Sequence, residues 1–171
     1  KKQQKPLKLF YAGNVYRADK KNRGARRELC QVGAEIFGCS GKWLDLETIN
    51  MAKESFKVAG VANYKIDIGH VGIIKGIFEG ITLPEEKKSY LIDLISEKNL
   101  VELEKEVSAL SIDNRYKEII CKLPRFFGRP EDVFKEINEI ITNGTVKESA
   151  EYLLEVYEKC RDMGLGPNLI I

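Results

Sequence analysis

The chain has 171 residues, of which 43% are hydrophobic and 32% charged, with a net charge of +2. That is enough chain for one sizeable core and the balance of a globular protein. The small, spread-out charge advertises no strong field for nucleic acid, no apolar run is long enough to span a bilayer, and no signal peptide opens the chain.

In chain order, residues 7 to 38 read as two or three antiparallel strands around a cationic tip that holds Lys20, Lys21, Arg23, Arg26 and Arg27. Strand side chains alternate faces, so Arg27, Gln31 and Glu35 share one side and Val32, Ala34 and Ile36 the other. The second side is apolar and suited to a core. Gly33, between Gln31 and Glu35, leaves floor space above the sheet for a ligand. On the outgoing run Gly13, Val15, Arg17 and Asp19 also share a parity.

Residues 42 to 60 predict a helix whose apolar stripe is Ile49, Ala52, Phe56 and Ala59, stopped by Gly60. Residues 64 to 68 alternate like a strand, and 71 to 80 read as a helix despite Gly76. The segment 85 to 123 gives three short helices parted by Asn99 and by Ser111 to Asn114. Pro124, Gly128 and Pro130 break the pattern, as a hinge or, more simply, a tight interhelical turn. Helices over 131 to 142 and 146 to 162 follow, the last burying Ala150, Leu153, Leu154 and Tyr157 and ending at Gly164. Thr82 with Glu85, and Thr145 with Glu148, fit capping boxes. Ile170 and Ile171 start a further strand. The order, sheet and then many helices, predicts an α+β fold.

Four cysteines stand at 30, 39, 121 and 160 without a C-x-x-C pair, and reduced thiols are expected rather than a disulfide. His70 is the only histidine, so a zinc site would lack its usual ligands and hydrolase chemistry its usual base. At a strand end it is expected to cap the turn or to pack. No catalytic residue, metal or cofactor is assigned.

A guanidinium, an amide and a carboxylate on one wall suit a small zwitterion or a phosphate-bearing molecule. On pattern alone, an ordinary solvated face with cross-strand ion pairs accounts for them as well. The basic tip is open in the same way, between a solvated hairpin end and a phosphate contact.

These residues resemble motif 2 of the class II aminoacyl-tRNA synthetase fold in its histidyl form. The pattern stands here as Tyr16-Arg17-Ala18-Asp19, then Gly24-Ala25-Arg26-Arg27-Glu28-Leu29, then Gln31-Val32-Gly33-Ala34-Glu35-Ile36-Phe37-Gly38. Two families carry it, histidyl-tRNA synthetase and the synthetase-like regulatory subunit of ATP phosphoribosyltransferase, the first enzyme of histidine biosynthesis. The run Tyr64-Lys65-Ile66-Asp67-Ile68-Gly69-His70-Val71-Gly72-Ile73 is similar to the regulatory family, as are Glu97 to Leu100 and Leu123 to Gly128. Ala25 replaces the first loop arginine and Asp19 the motif-2 glutamate. A lost guanidinium–phosphate bond costs on the order of 1.5–3 kcal/mol, which opposes adenylation chemistry.

The resemblance implies an antiparallel sheet of the class II type flanked by helices, with a helical insertion subdomain. It implies domains at 1–70 (core with the motif-2 hairpin), 71–160 (helical segment or insertion) and 161–171 (return to the core sheet). Arg17, Gln31 and Glu35 would line a histidine-type pocket, with Arg27 at its phosphate-facing end. The implied function is non-catalytic: to enable ATP phosphoribosyltransferase and regulate it with histidine. The implied partners are the short-form catalytic subunit, further copies of the full-length chain and a histidine ligand, with no membrane or tRNA partner and a cytoplasmic location. The alternatives are a histidyl-tRNA synthetase catalytic core and a plain oligomerisation or histidine-binding module. The start at Lys1 rather than Met and the apolar end at Ile171 fit an internal piece, with motif 1 expected before it and motif 3 after.

Overall fold

The computed structural model describes residues 5–16 and 28–171. The chain divides into two compact units, Lys1–Glu47 and Thr48–Ile171.

In the first unit, β1 (Leu7–Tyr16) and β2 (Glu28–Phe37) form one antiparallel ribbon in which Leu9 faces Glu35, Tyr11 faces Gly33 and Gly13 faces Gln31. The pairing is unbroken over ten residues in each strand, so the alternation read from the sequence holds throughout. The apolar side is not covered as expected. Phe10 is 85% and Val32 76% exposed, and Ala34 is exposed with them. Among the described residues of the ribbon's own unit, no element covers Phe10, Val32 and Ala34.

Helix α1 (Lys42–Val58) carries Leu46 as its one buried residue, while the expected stripe of Ile49, Ala52 and Phe56 is only half-buried and Ala59 is exposed. Gly60 stops the helix as predicted. At φ +71° it lets its own N–H reach the Lys57 carbonyl and the Val61 N–H reach that of Phe56. Phe56 then stacks on Tyr64 with ring centroids 4.6 Å apart.

Two short strands bracket the helices of the second unit. β3 (Ile66–Asp67) and β4 (Leu169–Ile170) run parallel, with Ile66 beside Leu169. Between them come α2 (Val71–Glu79), α3 (Glu85–Ser96), α4 (Leu100–Ser108), α5 (Asn114–Lys122), α6 (Pro130–Glu139) and α7 (Gly144–Cys160). Asn99 caps α4 through the Glu102 N–H, and Asp113 caps α5 through the Arg115 N–H at 2.7 Å. Ile77, Leu91, Leu103, Ile120 and Val146 are fully buried at the centre of this unit. The turn at 124–130 ties back to the sheet, where Gly128 and Ile171 exchange both backbone hydrogen bonds.

Three expectations need correction. Helix α3 starts at Glu85 behind Pro84, with no side-chain cap, so Thr82 plays no capping part. The cap of α7 is Asn143, whose Oδ1 accepts from the Val146 N–H at 3.0 Å, while the Thr145 hydroxyl donates to Glu79 at 2.8 Å. Leu154 is 39% exposed, and Val146, Ser149 and Val156 are buried in α7 besides Ala150, Leu153 and Tyr157.

The glycines of α2 explain why the helix tolerates them. A Cβ at Gly72 would collide with the Ser149 hydroxyl, and one at Gly76 would lie 2.8 Å from Val146 Cγ2 and 2.9 Å from the Val146 backbone nitrogen. They let α2 and α7 approach to backbone contact. Alanine at 76 gains about 1 kcal/mol of helix propensity. It then meets main chain, which cannot rotate aside as a side-chain tip can. Overpacking of this kind costs about 1–3 kcal/mol, so Gly76→Ala should be net destabilising by up to about 2 kcal/mol in denaturant titration of the full chain. A midpoint at or above the parent's would contradict the close approach.

Candidate functional site

Of the four residues assigned to the pocket, Gln31 and Glu35 are described, while Arg17 and Arg27 lie outside the described residues, as do the lysines and arginines of the tip. Gln31 and Glu35 do share a face of β2, with Gly33 between them. Four residues of strand separate their Cα atoms by about 13 Å. Glu35 is exposed and Gln31 half-buried.

The floor between them is not empty. Tyr11, opposite Gly33 on β1, lays its phenol ring over the glycine, and any Cβ at 33 would strike that ring. The Tyr11 hydroxyl accepts from Gln31 Nε2 at 2.7 Å. Gly33 thus makes room for an aromatic ring from the neighbouring strand, the known remedy for a glycine in a sheet. A ligand touching both Gln31 and Glu35 would rest on, or displace, the Tyr11 ring. Sequence reasoning missed Tyr11. Its signal, an aromatic directly across from a glycine, becomes visible only once the register is known.

The opposite face has its own polar end. Glu28 accepts from Asn14 Nδ2 at 2.8 Å and from the Tyr16 hydroxyl at 3.0 Å, and Lys8 pairs with Glu47 at 2.5 Å. These bonds lie toward the two ends of the ribbon, on the face away from Gln31 and Glu35.

The Asp67–His70 turn belongs to the second unit. His70 is the N-cap of α2, its Nδ1 accepting from the Gly72 N–H at 3.1 Å, and its ring packs tilted against Tyr152 with centroids 5.2 Å apart. That bond places the neutral ring's proton on Nε2. The histidine is a helix cap, as the sequence suggested. Among the described residues no group of three or more His, Cys, Asp or Glu is placed to hold a metal ion, and no helix is long and apolar enough to cross a membrane. Burial raises the thiols of Cys121 and Cys160 above their ordinary range, whereas Cys30 and Cys39 are exposed.

An antiparallel ribbon with a Gln-x-x-x-Glu wall, then a helix, then a strand leading into helices, resembles the class II synthetase pattern met in the sequence. The family model for histidyl-tRNA synthetase matches residues 1–170, and the chain belongs to that family. Within it, the chain is similar to proteins named ATP phosphoribosyltransferase regulatory subunit. It is 30% identical over 161 residues to that of Alkaliphilus metalliredigens, covering 94% of this chain and 41% of the relative. It is 32% identical over 160 residues to that of Thermoanaerobacter pseudethanolicus, covering 94% and 42%. A crystal structure described as an ATP phosphoribosyltransferase regulatory subunit/histidyl-tRNA synthetase, from Bacillus halodurans, superposes with a TM-score of 0.85 at 26% identity, over 98% of this chain and 43% of that one. The α+β fold of the family is thereby shown. The chain spans about two fifths of the length of the curated relatives it matches.

Proposed function

We propose that the protein acts as the regulatory subunit of ATP phosphoribosyltransferase, enabling the catalytic subunit of the first step of histidine biosynthesis and carrying histidine inhibition to it. One observation carries this reading: similarity to regulatory subunits runs over 94% of the chain. Two sequence features support it. The Asp67-Ile68-Gly69-His70 turn is of the regulatory type, and Ala25 and Asp19 replace groups that adenylation uses.

In this reading the partner is the short-form catalytic subunit, the full-length chain assembles with its own copies, and the assembly works in the cytoplasm without tRNA. Gln31 and Glu35 hold histidine, the carboxylate taking its ammonium or imidazole N–H and the amide donating or accepting. Arg17 and Arg27 complete that wall by sequence position. The helical stretch 71–160 is an insertion between core strands, a reading supported by the parallel pairing of β3 and β4 on either side of it. Fold alone decides none of this, since catalytic and regulatory members share it.

The test uses the full-length protein with the short-form catalytic subunit. Complex formation, a raised transferase rate and inhibition of that rate by histidine are expected, together with no histidine-dependent pyrophosphate exchange. Robust exchange without any effect on the transferase would establish the synthetase reading instead.

A further inference from the structure

We propose that a cavity in the second unit, lined by residues of that unit alone, is a binding site for a small hydrophobic α-amino acid. The cavity opens where the ends of β3 and β4 meet α2, α3, α6 and α7, and its volume is about 280 Å³. Pockets for drug-sized ligands run from about 300 to 1,000 Å³. This one falls just below that range and suits a single amino acid rather than a nucleotide.

Its floor is made of branched apolar side chains. Ile73, Ile95, Val133, Ile137 and Leu153 all line it and are all buried. Such a surface favours an aliphatic body of similar shape. The mouth is different. Asp67 and Lys98 both line it, both are exposed, and among the described residues neither is engaged in an ion pair. A carboxylate and an ammonium above an apolar floor match a zwitterionic head on an apolar side chain. The ligand carboxylate meets Lys98 and its ammonium meets Asp67. A phosphorylated ligand would be opposed by Asp67, and a plain hydrocarbon would leave both charges unused.

Lys98 supplies a second, independent observation. It is the only non-glycine at positive φ among the described residues, at φ 54°. It stands just beyond α3, with the Lys98 N–H on the Ile95 carbonyl and the Asn99 N–H on that of Leu94. This is the left-handed position at a helix end that glycine ordinarily takes. A side chain there carries a backbone penalty, and residues held so are concentrated at ligand sites. The ammonium lies 4.4 Å from the centroid of the Phe127 ring, which also lines the cavity. This cation–π contact keeps the ammonium beside the cavity.

The test is calorimetry on the full-length protein with L-leucine, and with two truncated probes: isocaproate, which lacks the ammonium, and isoamylamine, which lacks the carboxylate. Leucine is expected to bind, and each truncated probe to bind at least tenfold more weakly. Asp67→Asn and Lys98→Gly should each weaken leucine by roughly ten- to hundredfold, the equivalent of one lost charge-assisted hydrogen bond. Because glycine relieves the left-handed backbone, Lys98→Gly should fold at least as stably as the parent, so lost binding cannot be put down to unfolding. The proposal is overturned if the parent gives no heat with leucine at millimolar concentration, if either variant keeps full affinity, or if a truncated probe binds as well as leucine. It does not rest on the proposed function: Glu35→Gln should leave leucine binding unchanged, and a chain that failed to regulate the transferase could still bind leucine here.

Discussion

Asn143→Ala is expected to lower the unfolding free energy of the full chain by about 2–4 kcal/mol, because the side chain has two jobs at once. Its Oδ1 caps α7 through the Val146 N–H at 3.0 Å, and its Nδ2 donates to the Gly76 carbonyl at 2.6 Å. The Gly76 carbonyl lies in the last turn of α2, where carbonyls lose their partners within the helix. The Gly80 N–H goes to the Ile77 carbonyl and the Ile81 N–H to that of Phe78, leaving Asn143 to satisfy that of Gly76. Removing a cap costs about 0.5–2 kcal/mol. Leaving a buried acceptor without its donor costs a further ~1–3 kcal/mol. Asn143→Asp separates the two, since it keeps a capping oxygen but sets a carboxylate against a carbonyl. It should fall between parent and alanine variant in chemical denaturation. Two variants within about 0.5 kcal/mol of the parent would mean that this bridge between α2 and α7 contributes nothing.

The same residue shows what the sequence could and could not disclose. Thr145 with Glu148 is a fair capping signature, but Asn143 is at least as good a cap and sits two residues earlier. The contest was settled by Gly76, 67 residues away, which needs the Asn143 amide. Local pattern had no access to that partner. The box at Thr82 failed for a local reason that was readable. The residue before a proline is turned away from helical backbone, so Leu83 cannot begin α3 and the helix waits until Glu85. By contrast, the stop at Gly60 and the cap at His70 were legible, because a few neighbouring residues decide them, while Asn99 and Asp113, read only as breaks between helices, are the caps of α4 and α5.

The ribbon divides in the same way. Strand alternation placed Gln31 and Glu35 on one face without any knowledge of β1, because parity is a property of one strand. What lies between them depends on pairing, and the register that sets Tyr11 over Gly33 is a relation between two strands. The space reserved for a ligand was therefore assigned to Gly33 when Tyr11 shares it. Leu154 was misplaced because it stands at the margin of the apolar stripe of α7, where a periodic pattern alone does not fix which side is covered.

In the proposed regulatory reading, Glu35→Gln should weaken histidine binding by roughly ten- to hundredfold, the equivalent of about 1.5–3 kcal/mol for one charge-assisted hydrogen bond. The substitution keeps shape and removes charge, and Glu35 is exposed on its strand, so stability should move little. Tyr11→Phe is the matched comparison. It removes only the neutral bond from Gln31, worth about 0.5–1.5 kcal/mol, and keeps the ring over Gly33. The expected order of histidine affinity is parent, then Tyr11→Phe, then Glu35→Gln, read by calorimetry on the full-length protein. Equal affinity across the three would remove histidine from this wall. Regulation adds a stricter requirement than binding. A ligand shifts a partner only by its difference in affinity for two states, and the effect is reciprocal. Saturating catalytic subunit must therefore change the parent's histidine affinity by the same factor that histidine changes affinity for the catalytic subunit. A histidine that binds the Glu35 wall with one affinity, partner present or absent, would be held there without regulating anything.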